Sequence, residues 1–553
     1  MLIEKGKKQM QNLSVNRENW SYMDGYQCYI LERVSYCLYP QVPAEQCMNI
    51  YVPEEYLNPD GSLTEIRHAN GFTAHTVPVI FENGLAGYHE AEPFEIEDGR
   101  SAAKEFLKAG FVYVSCGCRG RSSENAEGIR CGKSPASLVD LKAGIRFLKS
   151  KRGELPGDMD RIISVGISAG GAMSTLLGCT GNSENYTEAL EKMGAVMTET
   201  DDIFAAQCYC PIIDLDHADL AYEWMFRGKT HYTGMPFVGF SEGDLTPFAS
   251  ALSEQLADAY VDYFNGLKLQ NPKDGTLVRI GREHEGSGYE ILMEKLEQSA
   301  TKFLAKFEKR DALSGPRLSS QAENCAAGSQ PIKSGVVEKK SVLTDFDTES
   351  YLYGNYTALC FTPEKQALEP LPGVDKHTWL GWDSHMQKAR ITGIEVMQET
   401  YHRRLKLCPA FDDLNLIQAE NQEFGTPGCD KMHFNPILAG LIEKLQQAFP
   451  EETKQYLEGY QKVADDQELA RRRYLINPMN YIGTEERADM APHYRIRVGS
   501  RDADTSLMIT LTLALKLMQT KKTDVDYEIV WDEAHGRADY PGEVTEWVKE
   551  ICK

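Results

Sequence analysis

Five short runs between residues 46 and 210 constrain this chain more than any other feature. Residues 47–52, 77–81, 111–116, 161–165 and 204–210 are nearly unbroken stretches of apolar, often β-branched or aromatic, side chains. A strand with one wet face alternates apolar and polar residues, whereas one that is apolar throughout is covered on both faces. Between two of these runs, residues 137–151 carry Leu138, Leu141, Ile145, Phe147 and Leu148 at helical intervals, with Gly153 and Pro156 as stop signals. Strands separated by helices predict an α/β fold, a mainly parallel sheet with helices on both faces.

The rhythm changes after Cys210 and resumes near Asn477. The stretch between is rich in charge and aromatics, with long helical patterns at 252–269 and 290–309. Within it, residues 313–335 are small, polar and poor in apolar side chains, and read as a mobile loop. Strands at 494–498 and 527–531 then alternate with helices at 505–519 and 543–551. A length of 553 residues would allow three or four domains in series. The resumed pattern favours one core, 1–210 with 477–553, interrupted by a large inserted lid domain, 211–476.

Charge narrows the partners. Lys plus Arg is 59 and Asp plus Glu is 82, a formal net charge of −23. Such a chain repels phosphate backbones and anionic lipid, so neither nucleic acid nor a membrane surface is expected. No apolar run reaches the eighteen residues of a membrane span. The first twenty residues carry basic side chains without an apolar stretch behind them, so no secretory signal is expected. The 14 cysteines are scattered through apolar runs and read as buried thiols, which favours the cytoplasm. The pairs Cys116/Cys118 and Cys208/Cys210 lack zinc-site spacing. No H-E-x-x-H, phosphate-binding loop or EF-hand pattern occurs, so neither a metal nor a cofactor is expected.

The strongest chemical signal is Gly166-Ile167-Ser168-Ala169-Gly170, placed directly after a strand and opening a helix. Reversing from strand to helix in one residue strains Ser168, requires small residues two positions to either side, and projects the hydroxyl beyond the sheet. The helix N-terminus aims backbone N–H groups at the same spot, where attack on a carbonyl creates an anion, and Ala169 is the expected donor. A second donor is expected from Glu82–Tyr88, with Gly87 the choice. A serine hydroxyl needs a base and a group to orient it. His535 follows the last strand, as the Ser…Asp/Glu…His order of α/β-hydrolases requires. The acid should follow the preceding strand, where Asp502 and Asp504 both qualify, one of them being equally a helix cap. Asp532 and Glu533 stand too near His535 along the chain to face its ring easily. His217 and His231 read as packed or surface residues.

Six runs extend these residues into a longer pattern: GISAGGAMSTLLG (166–178), CPIIDLDHADLAYEW (210–224), KLCPAFDDLNLIQAE (406–420), NPMNYIG (477–483), YRIRVGSRDADTS (494–506) and DEAHGRADY (532–540). In collinear order from about Tyr39 to the end, most weakly over 228–400, the chain resembles the bacterial tannases. These are serine esterases of the α/β-hydrolase fold that cleave galloyl ester and depside bonds of hydrolysable tannins. The resemblance implies Ser168 as nucleophile, His535 as base and Asp502, rather than Asp504, as the acid. It further implies that Asp504, Lys406 and Glu420 bind the phenolic hydroxyls of a galloyl ring, the last two from the lid. Two carboxylates and one ammonium suit three adjacent O–H groups. The expected partner is thus a small galloyl ester, with oligomeric state open; a feruloyl esterase or general carboxylesterase with the same triad is the alternative. The cysteine before the nucleophile that fungal relatives pair with one after the histidine is absent, since Ile167 and Gly536 stand there.

Overall fold

In a computed structural model, residues 19–308 and 379–553 are described, apart from 59, 69, 237, 384–385 and 485–486, together with 359–360 and 369–370. The loop expected at 313–335 lies outside the described residues.

A nine-stranded sheet organises the chain. In chain order its first seven strands are β1 (Ser21–Met23), β2 (Cys28–Ser35), β3 (Cys47–Pro53), β4 (Pro78–Asn83), β5 (Val112–Cys116), β6 (Asp158–Ile167) and β7 (Ala205–Tyr209). Three separate antiparallel ladders follow: β8 (His231–Met235) with β9 (Phe240–Asp244), β10 (Leu359–Cys360) with β11 (Glu369–Pro370), and β12 (Leu380–Asp383) with β13 (Lys388–Ile391). β14 (His493–Gly499) and β15 (Asp524–Val530) then rejoin the central sheet, whose order is β1-β2-β3-β5-β4-β6-β7-β14-β15. The six strands from β5 to β15 pair parallel, and β1 to β3 add an antiparallel edge. The mixed, mostly parallel sheet with helices on both sides is the α/β fold that the unbroken apolar runs predict. Every residue of β3, β4, β5 and β7 is buried, as double coverage requires.

Boundaries shift where local chemistry overrides periodicity. The helix expected at 252–269 spans Pro247–Gly266, because the Thr246 hydroxyl caps it and Pro247 takes the first turn. The helix expected at 505–519 spans Leu507–Gln519, and its N-cap is Ser506, whose hydroxyl accepts from Met508 N. Neither Asp502 nor Asp504 is that cap. β1 and β2 were not foreseen, since Cys28–Ser35 mixes buried and exposed positions without a clean period.

From β4 the chain goes to β5 on one side and then returns to β6 on the other. This reversal opens a crevice at the carboxyl ends of β4 and β6, the usual place for a ligand in an open α/β sheet. Among the described residues, no strand between Tyr209 and His493 joins the central sheet. That stretch instead supplies helices such as Ala218–Met225, Pro247–Gly266 and Ser287–Glu308, and the short helix Ala419–Glu423. No described helix is long and apolar enough to cross a membrane. The described cysteines are free thiols, nearly all buried.

Candidate active site

Ser168 stands between β6 and the helix Ala169–Cys179, with φ 61° and ψ −121°. A non-glycine residue there is strained, and the surroundings hold it in place. Its N–H donates to Tyr209 O at 3.0 Å, and its carbonyl accepts from Ala172 N at 2.9 Å and Ile212 N at 3.3 Å. The flanking glycines are steric necessities. A Cβ on Gly166 would lie 2.1 Å from Gly170 O, and one on Gly170 would lie 2.6 Å from Asn83 Oδ1.

His535 Nε2 lies 2.8 Å from Ser168 Oγ, and its Nδ1 lies 2.9 Å from Asp502 Oδ2. A carboxylate only accepts, so Nδ1 carries the hydrogen and Nε2 is left to accept the serine proton. Asp502 is fully buried, while Ser168 and His535 are 5% and 8% exposed, so only the serine end of the chain meets the crevice. Burial alone would lower the His535 pKa; the Asp502 carboxylate, with Cys210 and Asp504 beyond it, overrides burial and holds it well above the ordinary value. Cys210 Sγ is 4.0 Å from His535 Nε2 and donates to Gly536 O at 3.2 Å. Asp502 and Asp504, which spacing alone could not separate, therefore differ: Asp502 meets the ring nitrogen, and its Oδ1 accepts from Asp504 N at 3.0 Å. Asp532 turns to Arg501, at 3.2 Å, and burial raises its pKa to about 6.

The loop bearing His535 is pinned on its far side. Arg537 Nη2 donates to the buried Glu82 of β4 at 2.6 Å. Asp539 accepts from the Tyr209 hydroxyl and from Arg495 Nη2, each at 2.6 Å. Sequence spacing gave no hint of these anchors, because each ties the loop after β15 to a strand that only sheet order brings near it.

The segment after β4 docks on the elbow. Asn83 Nδ2 donates to Gly170 O at 3.2 Å and to Val165 O at 3.3 Å, and Gly170 N donates to Leu85 O at 3.0 Å. Gly87 has φ +52°, its carbonyl accepts from Arg121 Nε at 2.8 Å, and a Cβ there would lie 4.0 Å from Ala419 Cβ. The glycine segment thus abuts the short helix that carries Glu420.

Lys406, Glu420 and Asp504 converge on the same region. Lys406 Nζ is 3.8 Å from Asp504 Oδ1 and sits 4.2 Å above the Phe411 ring. Lys406 and Glu420 are each only 3% exposed. Burial raises the Glu420 pKa, against the pull of Lys406 and Arg121. One hydroxyl links the lysine to the acid loop: Tyr222 donates to Ala503 O at 2.9 Å and accepts Leu405 N at 3.1 Å and Lys406 N at 3.0 Å. Arg404, in a buried ion pair with Glu223 at 2.7 Å, donates to Lys406 O at 2.9 Å. Tyr222 and Arg404 were missed because a tyrosine in a helix and an arginine in a loop carry no local signature. His217 and His231 take the expected structural places, the first stacked 3.5 Å from the Tyr263 ring and the second in exposed ion pairs.

A serine on a strained strand-to-helix turn, beside the crevice of such a sheet, defines the α/β-hydrolases. A family model described as BD-FAE matches residues 73–220. Tannin acyl hydrolase from Lactobacillus plantarum is 28% identical, with a TM-score of 0.74, over 98% of this chain and 100% of that one. Fusobacterium nucleatum tannase is 27% identical, with a TM-score of 0.72, over 98% and 99% of the two chains. A tannin acyl hydrolase solved in complex with ethyl gallate is 28% identical, with a TM-score of 0.71, over 98% and 100%. No curated protein matches the sequence. The chain is a carboxylic ester hydrolase of the α/β-hydrolase fold. Within that class it is tannase-like, similar to the bacterial tannases along nearly its whole length.

Proposed function

We propose that this protein hydrolyses galloyl esters and depsides, releasing gallic acid through a galloyl-enzyme intermediate. The observation that carries the reading is a juxtaposition. Two residues after Asp502, which holds His535 against Ser168, Asp504 meets Lys406 from the stretch between β7 and β14. A ring gripped there has its ester carbon presented to the serine. In this reading Ser168 is the nucleophile, His535 the base and Asp502 its orienting partner. His535 takes the Ser168 proton as the hydroxyl attacks the galloyl carbonyl, and the N–H groups of Ala169 and Gly87 hold the oxyanion. The alcohol or phenol leaves with the proton from His535. Water, deprotonated by the same ring, then releases gallate. Lys406, Glu420 and Asp504 bind the phenolic hydroxyls, and residues 211–476 act as a lid over the core formed by 1–210 and 477–553. No cofactor enters this scheme; the partner is a small galloyl ester.

The match of residues 73–220 to BD-FAE supports esterase chemistry but not a ring preference, so a hydroxycinnamate esterase with the same triad is the second reading. Comparing kcat/KM for methyl gallate, methyl ferulate and methyl benzoate tests it. A site built to pair hydroxyls rejects an analogue lacking them by about 10⁴-fold, because its buried polar atoms stay unpaired. Methyl gallate is expected to lead by at least about 10³-fold. Equal turnover of methyl benzoate, or a preference for methyl ferulate, overturns the assignment.

A further inference from the structure

Tyr401 and His402, supplied by the stretch between β7 and β14, reach both loops that carry the acid and the base. The Tyr401 hydroxyl is 2.6 Å from Ser500 Oγ, and the Asp532 N–H donates to both oxygens at 2.9 Å. Ser500 leads to Asp502, and Asp532 leads to His535, so this pair of hydroxyls staples the two loops together. The Tyr401 ring packs against Trp379 and Trp531, at 4.9 and 5.1 Å, and the two indoles touch each other at 6.0 Å, so the three rings form one cluster.

His402 Nε2 is 2.7 Å from the backbone carbonyl oxygen of Asp502. A carbonyl only accepts, so Nε2 carries the hydrogen and the ring is held in one tautomer. Its Nδ1 is buried without a hydrogen-bond partner among the described residues, so a second proton there would be unpaired. Burial accordingly keeps the His402 pKa below the ordinary value, and the ring stays neutral. Phe226 packs on it at 5.1 Å.

We infer that Tyr401 and His402 are positioning residues that fix the Asp502 carboxylate against His535 and thereby set how strongly the imidazole holds its proton. Neither touches a reacting atom; both act through Asp502, and the inference rests on the proposed roles of Ser168, Asp502 and His535. The groups facing the His535 ring are Asp502 at Nδ1, Ser168 and Cys210 at Nε2, and Asp504 further along the acid loop. Of these, only the Asp502 carboxylate meets Nδ1 and belongs to a residue tied to His402.

The test uses the full chain with His402→Phe, His402→Gln and Tyr401→Phe. Phenylalanine keeps the ring's bulk without a donor, and glutamine keeps a donor. In His402→Phe, kcat for methyl gallate is expected to fall about a hundredfold with KM nearly unchanged, the penalty of a small misplacement. The acid limb of kcat/KM against pH moves to lower pH, because a looser Asp502 supports the imidazolium less. The far-downfield proton NMR resonance of the His535 Nδ1–H moves upfield with it. His402→Gln restores most of each, and Tyr401→Phe gives a smaller change of the same kind. A folded His402→Phe protein with an unmoved resonance and an unmoved acid limb overturns the inference, even if its melting temperature drops. If the wild-type chain leaves methyl gallate intact, the proposed function fails, while the resonance still decides the positioning role.

Discussion

Ser168, His535 and Asp502 spend their hydrogen-bonding capacity on one another, at 2.8 and 2.9 Å. Lys406, Glu420 and Asp504, beside them, do not. The ammonium stands 3.8 Å from its nearest carboxylate, too far for a hydrogen bond, and rests on an aromatic face instead. Among the described residues, the Glu420 carboxylate has no hydrogen bond to another side chain. Lys406 and Glu420 are as nearly shut off from solvent as the three relay residues, so exposure does not separate them; only Asp504 is partly open, its side chain 19% exposed. In the proposed mechanism Ser168, His535 and Asp502 relay a proton, which works best when the members are already aligned and so favours closure on itself. Charged groups held at low exposure without completing one another cost stability, and proteins keep them where a ligand completes the set.

The sharpest way to break this comparison is to remove the alcohol from the closed chain. Ser168→Ala is expected to lower kcat on methyl gallate by about 10⁵- to 10⁶-fold, the loss typical of a missing nucleophile. Its small side chain fits the elbow, so the melting temperature should stay within a few degrees. A folded Ser168→Ala protein that retains full activity would remove the nucleophile assignment.

The open set predicts a smaller and more selective loss. Lys406→Ala or Glu420→Gln should reduce kcat/KM on methyl gallate by about a hundredfold, the effect of leaving buried polar partners unpaired. Phenyl acetate, which carries no ring hydroxyls, should change less than about threefold. Equal losses on both substrates would mean that the two residues support the fold or the elbow rather than the ring.

The two sets also differ in how far the sequence announced them. Ser168 is visible because backbone geometry dictates its neighbours, and the same strain that exposes the hydroxyl forces Gly166 and Gly170. His535 and the acid loop follow from the order of strands, since active-site loops gather at one end of a parallel sheet. Choosing Asp502 over Asp504 needed either the family resemblance or the coordinates, because both lie on the same loop. Lys406 and Glu420 had no local signal at all. Their relation to Asp504 runs through Tyr222, which bonds Ala503 O and Lys406 N across 281 and 184 positions of chain. The N-terminal hairpin was missed for a related reason: β1 is short and exposed at the edge of the sheet, and β2 beside it lacks the unbroken apolar run that marked the interior.

Behind Glu420, one helical turn on, Glu423 extends the contrast from function to stability. It is buried, and neither of its carboxylate oxygens has a hydrogen-bond partner among the described residues. Burial raises its pKa to about 8, although Lys133, Arg121 and Arg472 all pull the other way. Unfolded, the same carboxyl ionises near 4.5. Between those values the folded state holds one more proton than the unfolded state, so stability falls as pH rises through that window and levels off above about 8. Glutamine has the same shape and no proton to lose. Glu423→Gln should match the wild type near pH 4 and become the more stable protein by about 1–3 kcal/mol near pH 9, read from urea unfolding at both pH values. A difference that is the same at the two pH values would mean that Glu423 ionises as freely in the folded chain as in the unfolded one, and that the nearby cations, not burial, govern this part of the site.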